Sequence, residues 1–340
     1  MTVVWDGLID RKNSLGILSC AMIEALSPLC SVHVSPWPES DGQCIDEYAR
    51  RLFVTRQRAN IIWPDVWIRL CDPYSASHGL GTYKVPYIYH ESSFLPARVV
   101  EDLNRDTRGI CVMSQFQARL MQACGYKRPL LVVPNGVDVD LFAEKSDAES
   151  KGNLPYTFLS LGKLNRRKGS DIIIRAFQEA FECRSDARLI LQTPNGLLEG
   201  RELVKHPLID IIDRPLDREE IACLMRSCDC YVSATRSDAS HMPGLEALAS
   251  GLVLIGPAFS GMNDYLEMAT VKVALHNYQR VPADGPGEWL EPDVEELTHA
   301  MRTAANQRLD GRCNGRVARE RFTWKHAAQT MLRGIQSLMR

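Results

Sequence analysis

The sequence has almost no excess of charge: 40 lysines and arginines stand against 42 aspartates and glutamates, a formal net charge of -2 over 340 residues. A chain so balanced carries no global electrostatic footprint for nucleic acid or an anionic membrane. Long hydrophobic runs are missing too. The most apolar stretch, residues 245–262, is interrupted by Glu246, Gly251 and Pro257, so no segment is expected to span a bilayer. The opening MTVVWDGLID reads as a strand, with no basic stretch leading into an apolar one, which predicts no secretory signal and a cytoplasmic protein. Paired cysteines are absent: the eleven cysteines include no C-x-x-C, and Cys228 and Cys230 form a lone C-x-C with no second pair. Neither a zinc site nor a disulfide framework is expected, and buried reduced thiols are. No repeat of fixed period and no low-complexity segment occurs. GLGTYK, residues 79–84, has neither the G-x-G-x-x-G nor the P-loop spacing and reads as a turn.

What is present is a 45% hydrophobic content and a length that suits about two domains. Short β-branched runs alternate with helix-length amphipathic segments. The predicted strands are 2–5, 31–34, 66–70, 85–89, 110–113 and 130–133, then 157–161, 189–192, 209–212, 231–233 and 252–255. The predicted helices are 14–26, 97–103, 115–124, 171–181, 218–227 and 243–250. Such alternation argues for βα units and parallel sheets, whose strands are buried on both faces and read as continuous apolar runs. The polar run AEKSDAESKGNLP, residues 143–155, breaks the pattern once and is expected to link two doubly wound domains.

Ligands of open parallel sheets bind at the carboxyl ends of the strands. Three loops follow predicted strands there: 162–169, 236–242 and 90–93. In TRSDASHMPGLEALASG, residues 235–251, Pro243 suits a first helical position, where its missing N–H costs nothing. The N–H groups of Gly244, Leu245 and Glu246 are then expected to be orphan donors, because Met242 in the cap position cannot accept from them. An uncapped helix start is an anion site, and Gly244 would let a phosphate approach. Glu246 could accept from ribose hydroxyls, and Asp238 from a second polyol. The alternative is a surface turn before a helix whose first-turn Glu suits the dipole. In LGKLNRRKGSDIIIRAF, four cations, Lys163, Arg166, Arg167 and Lys168, follow a strand and precede Gly169 and a helix. They would oppose a pyrophosphate, or form a solvated charged loop. Together the two loops describe a nucleotide-sugar site.

At these residues the chain resembles the retaining glycosyltransferases of the two-Rossmann-domain (GT-B) type, in the large bacterial family-four group. The segments that carry the resemblance are SLGKLNRRKGSDIIIRAFQEAF, DREEIACLMRSCDCYVSATRSDASHMPGLEALASGLVLIG, VVPNGVDVDLF and YIYHESSFLPARVVEDLNRDTRGICVMSQFQARLMQACG, with the later EWLEPDVEELTHAMR and FTWKHAAQTML. The resemblance implies an α/β fold of two doubly wound Rossmann-like domains facing a central cleft. An acceptor-side domain would cover 1–145 and a nucleotide-sugar-binding domain 152–322, with a C-terminal helix in 323–340 crossing back to the first. The family's E-x7-E falls on Asp238 and Glu246, so Asp238 would bind the transferred sugar and Glu246 the donor ribose. Lys163 and Lys168, with Arg167, would neutralise the diphosphate leaving group. His241, Met242, Pro243, Gly244 and Leu245 would complete the donor loop. His90 and Glu91, in the HES segment, would face the sugar. Gly16, in the loop from Gly7, would border phosphate and acceptor, and Asn135 of PNGVD would lie at the crevice. The chain departs from the family in three places: Asp238 replaces the commoner Glu, His241 stands where glycine is usual, and Lys163 gives up the planar fork of Arg for a point charge.

Other motifs are weaker. DVD, residues 138–140, matches a metal-binding D-x-D, but PNGVDVDLF explains it without metal. His33, His206, His299 and His326 lack partners at ligand spacing and read as structural, and Arg69 reads as either a buried ion-pair partner or an acceptor contact. The expected activity is therefore metal-independent sugar transfer with retention, needing no cofactor beyond the nucleoside diphosphate sugar donor. The acceptor would be a hydroxyl on a glycan, a lipid-linked sugar or a small molecule. A transferase acting on modified nucleic-acid bases and a non-catalytic nucleotide-sugar-binding partner are the alternatives.

Overall fold

The computed structural model describes residues 1–49, 64–76, 83–144, 155–182, 184–194 and 206–340. The chain divides into two compact units, Met1–Gly136 with Phe322–Arg340, and Val137–Arg321. The turn expected at 79–84 lies mostly outside the described residues, as does the centre of the expected linker.

The first unit holds β1 (Thr2–Gly7), α1 (Ser14–Leu26), β2 (Ser31–Pro36), α2 (Gly42–Ala49), β3 (Val66–Cys71), β4 (Lys84–Ile88), α3 (Ala97–Asp106), β5 (Ile110–Val112), α4 (Gln115–Ala123) and β6 (Leu130–Val132). Its six strands are all parallel, in the order β2-β1-β3-β4-β5-β6. Val3, Val4 and Trp5, and likewise Val66, Trp67 and Ile68, are buried in unbroken runs, because helices cover both faces of a parallel sheet. Helix α1 starts where the Asn13 side chain accepts from the Gly16 N–H at 3.0 Å.

The second unit holds β7 (Tyr156–Leu161), α5 (Ser170–Phe181), β8 (Ala187–Thr193), β9 (Ile209–Asp213), α6 (Arg218–Arg226), β10 (Cys230–Val232), α7 (Met242–Ala249), β11 (Val253–Pro257), α8 (Asn263–Leu266) and β12 (Lys272–Leu275). The hairpin β13 (Tyr278–Pro282) and β14 (Glu288–Pro292) follows, then α9 (Val294–Asn306) and α10 (Asn314–Arg321). The last helix, α11 (Trp324–Met339), belongs to the first unit. The second sheet is also parallel, in the order β9-β8-β7-β10-β11-β12. Phe158, Phe177 and Phe181 form its aromatic centre, with ring centroids 5.0 to 6.2 Å apart. No helix among the described residues is long and apolar enough to cross a membrane.

Eleven predicted strands match β1 to β11 to within a residue or two. The pattern missed β12 and the hairpin, because KVAL is only four residues long and β13 is almost wholly exposed. The division between units falls at Gly136, ahead of the expected 145. Residues after it are tied into the second unit: Phe142 is buried beneath the Arg218 guanidinium at 4.7 Å, and Arg319 pairs with Glu144 at 2.7 Å. Phe322 likewise falls in the first unit rather than the second.

Each strand order has a point where the winding reverses. In the second sheet it lies between β7 and β10, the 3-2-1-4-5-6 arrangement. In the first it lies between β1 and β3. Loops at the carboxyl ends of these strands splay apart there and leave a crevice.

Candidate functional site

At the second unit's switch point, the loop after β7 and the loop after β10 are zipped together by main-chain and side-chain hydrogen bonds. The Arg236 N–H donates to the Arg167 carbonyl at 2.8 Å, and an Arg167 guanidinium nitrogen donates to the Ser237 carbonyl at 2.7 Å. Gly169, at φ 71°, must be glycine: a Cβ there would collide with the Ala234 carbonyl oxygen. Arg236 is 4% exposed and braces the zipper. Its guanidinium grips Asp171 at 3.0 and 2.7 Å and Glu291 of β14 at 2.6 Å. Burial alone would lower its pKa, but the two carboxylates outweigh burial and raise it.

Asp238 projects into this frame at 6% exposure. Its Oδ2 accepts from Lys168 Nζ and from His241 Nδ1 at 3.0 Å, and lies 3.7 Å from an Arg167 nitrogen. Its Oδ1 accepts from the His241 backbone N–H at 3.1 Å. Burial would push the carboxyl pKa up, but the cations beside it win and hold it well below the usual carboxylate range. His241 is buried and its pKa lies below the usual imidazole value, because desolvation outweighs Asp238. Its Nε2 is 2.9 Å from the Tyr231 hydroxyl, and its carbonyl accepts from the Tyr265 hydroxyl at 2.8 Å.

Glu246 lies one turn into α7 at 3% exposure. Its Oε1 accepts from Arg218 at 2.6 Å. Here burial prevails over the arginine and the pKa is raised. A buried carboxylate held by one oxygen presents the other as an acceptor of strong, charge-assisted hydrogen bonds.

The helix start differs from the sequence expectation. Helix α7 begins at Met242, and the cap is His241, in the left-handed region at φ 59° with no side-chain capping bond. The Gly244 N–H donates to the His241 carbonyl at 3.1 Å, so it is not an orphan. A Cβ at Gly244 would collide with the Tyr265 hydroxyl. The glycine admits a tyrosine from α8. Met242 and Leu245 are buried apolar side chains of the core.

The four cations separate. Arg166 turns to the hairpin, donating to the Pro282 carbonyl at 2.8 Å and Asp284 at 2.9 Å, with Trp289 stacked 5.5 Å away. Arg167 and Lys168 face Asp238, while Lys163 is exposed. Asp238, His241, Arg167 and Lys168 thus form one cluster.

The remaining expected site residues lie in the first unit. His90 Nε2 meets the Phe94 carbonyl at 3.2 Å, and burial lowers its pKa. Glu91 is half-buried. Asn135 accepts from the Tyr87 hydroxyl at 3.3 Å. Gly16 packs against the Asp10 main chain, with which a Cβ would collide. Arg69 proves to be an ion-pair partner, donating to Asp6 at 3.2 Å beside the Trp37 and Trp67 indole N–H groups. Asp138 accepts from the Asp140 and Leu141 N–H groups at 3.2 and 3.1 Å, as a turn residue does.

Sequence reasoning missed Arg218, Tyr231, Arg236 and Tyr265. Tyr231 sits in a short strand pattern and reads as core, Tyr265 sits in the mixed stretch MNDYLEM with no motif around it, and nothing local marks the arginines.

No family model matches the chain. Mannosylfructose-phosphate synthase of Agrobacterium fabrum is 26% identical over 238 residues, covering 63% of this chain and 49% of the relative. The chain spans about half the length of the curated relatives it matches. Among solved structures, sucrose-phosphate synthase from Thermosynechococcus elongatus matches with a TM-score of 0.72 at 13% identity, over 99% of this chain and 98% of that one. The fold is that of the GT-B glycosyltransferases. An Anabaena GT-B protein solved with UDP and glucose matches with a TM-score of 0.68 at 13% identity, over 99% of this chain and 100% of its own. The two Rossmann-like halves of the GT-B fold are the two six-stranded units described above.

Proposed function

We propose that the protein is a glycosyltransferase that moves a sugar from a nucleotide sugar to an acceptor hydroxyl, with retention and without a metal ion. One observation carries the reading: a buried carboxylate, Asp238, lies among Lys168, Arg167 and His241 at the switch point of a Rossmann-like sheet, with a second buried carboxylate, Glu246, one turn into the next helix. A sugar diphosphate needs these groups: cations for the leaving diphosphate and acceptor-only oxygens for ribose and sugar hydroxyls. The names of the relatives, sugar-phosphate synthases among them, support the same reaction class. The ten described cysteines are free, five of them buried, which fits a reducing cytoplasmic compartment.

In this reading Glu246 accepts from the ribose through the oxygen that Arg218 leaves open. Lys168 exchanges Asp238 for the diphosphate, joined by Arg167 and by Lys163. Asp238 then accepts from the transferred sugar, and His90 and Glu91 serve the acceptor side. The acceptor is a hydroxyl of a glycan, a lipid-linked sugar or a small molecule. A second reading, a non-catalytic nucleotide-sugar-binding protein, is favoured by the His241 ring filling a position that is usually glycine in the family the chain resembles.

Calorimetric titration with a panel of nucleoside diphosphates and their sugars tests the first reading. Binding of one nucleotide sugar, with release of its nucleoside diphosphate on turnover, is expected. Binding without turnover against any acceptor hydroxyl supports the second reading, and no binding by any member sinks both.

A further inference from the structure

His241 is a buried, non-glycine residue in the left-handed region, and such a conformation persists only where its surroundings over-determine it. The determinants are three. Asp238 receives both its backbone N–H and its ring Nδ1, at 3.1 and 3.0 Å. Tyr231 of β10 meets Nε2 at 2.9 Å. Tyr265 of α8 donates to its carbonyl at 2.8 Å. Lys168 and Arg167, from the loop after β7, face the same carboxylate.

These contacts assign the protons. An ionised carboxylate only accepts, so Nδ1 carries the ring hydrogen. In a neutral imidazole Nε2 is then an acceptor, and the Tyr231 hydroxyl donates to it. Burial, which lowers the imidazole pKa, keeps the ring in that neutral state. Both oxygens of Asp238 are therefore held from one residue, independently of Lys168.

We propose that Tyr231 and His241 form a positioning relay for Asp238: the Asp238 carboxylate sets the His241 tautomer, the Tyr231 hydroxyl anchors the ring through Nε2, and His241 holds the carboxylate in place when Lys168 leaves it for the donor diphosphate. The relay rests on the nucleotide-sugar reading. It makes His241, at the position where the family usually has glycine, a determinant of how the transferred sugar is held. It adds nothing to the grip on the nucleoside diphosphate, which falls to Glu246 and the cations.

Two measurements on the full chain test it. Imidazole 15N NMR of the unliganded protein at neutral pH should show His241 as the neutral Nδ1–H tautomer, and Tyr231→Phe should keep that tautomer while shifting the Nε2 resonance by loss of its hydrogen bond. A wild-type ring in the Nε2–H form, or protonated, overturns the relay whatever the protein binds. Titration of wild type, Tyr231→Phe and His241→Gly with UDP, UDP-glucose and the other nucleoside diphosphate pairs gives the second readout. Loss of a hydrogen bond to a charged group predicts that sugar-nucleotide affinity falls about ten- to a hundredfold in His241→Gly. A smaller fall is expected in Tyr231→Phe, with nucleoside diphosphate affinity within about twofold of wild type. His241→Asn, whose amide can still donate to Asp238 and which tolerates a left-handed backbone, should recover part of the loss. Equal losses for diphosphate and sugar nucleotide, or no loss for either, overturn the relay. If wild type binds no nucleotide at all, the functional reading fails, and the tautomer alone decides the relay.

Discussion

At the scale of single residues, burial sets what the two carboxylates of the second unit can do. Glu246 is buried against one arginine, and Asp238 against two cations and an imidazole. Glu246→Gln keeps an acceptor oxygen but loses the charge that strengthens its hydrogen bonds, and Glu246→Ala loses both. Donor affinity should fall in the order wild type, Gln, Ala, with about 1–3 kcal/mol lost in Ala, read by calorimetry on protein of unchanged circular dichroism. Unchanged affinity in the Ala variant would reduce Glu246 to a structural partner of Arg218. His241 carries a pH dependence whose sign follows from its lowered pKa. The folded protein binds fewer protons there than the unfolded chain, so stability is fully present above 6.5, the ordinary imidazole value, and is lost as pH falls below it. His33 and His90 are lowered in the same direction, so the difference between wild type and His241→Gly isolates the one ring. Melting temperatures measured from above to below pH 6.5 should fall less steeply in the variant, and parallel curves would refute the assignment.

At the scale of elements, the informative contact is between α7 and α8. A glycine at a helix start can serve a ligand or a neighbour, and the two roles give opposite results on substitution. Gly244→Ala puts a methyl group where the Tyr265 hydroxyl lies and forces that ring off the His241 carbonyl. Overpacking of this kind costs about 1–3 kcal/mol, measurable as a shifted denaturation midpoint. Tyr265→Phe, in the Gly244→Ala background, should restore part of it by removing the colliding oxygen. Loss of ligand affinity at undiminished stability would instead return Gly244 to the role of a phosphate cradle. The hairpin of β13 and β14 acts at the same scale: Arg166 and Arg236 reach it from the two site loops, so a polar, mostly exposed element sets which cations are left to face Asp238.

At the scale of the whole molecule, two parallel sheets each reverse their winding once, and the buried acids and cations lie at the reversal in the second. In the proposed reading Lys163, Arg167 and Lys168 would offer the diphosphate fixed positive charge, and Asp138 Oδ1 accepts from its own turn. Turnover should therefore be unchanged, within error, by prior treatment with a chelator. Activity that vanished in chelator and returned with Mn2+ would refute metal independence. A nucleotide sugar that binds the folded state alone should also raise the melting temperature, by the equivalent of about 2.7 kcal/mol at a hundred times its dissociation constant.

The sequence by itself determined β1 to β11, the main helices between them and the gathering of acids and cations in the loops after strands. It could do so because a strand buried on both faces must be apolar throughout, and a loop at its end must not. Asp238 and Glu246 were legible as a pair because both lie within one loop and the helix it opens. The tertiary structure alone decided the rest. Strand order, and with it the switch points, depends on which β-strand lies beside which, and no local pattern encodes that. The partners of the charges were equally hidden: Lys168 meets Asp238 across 70 residues, Arg218 meets Glu246 across 28, and Tyr265 reaches the His241 carbonyl across 24. Electrostatic and steric roles are set by distance in space, and a folded chain brings together side chains that its linear order keeps apart.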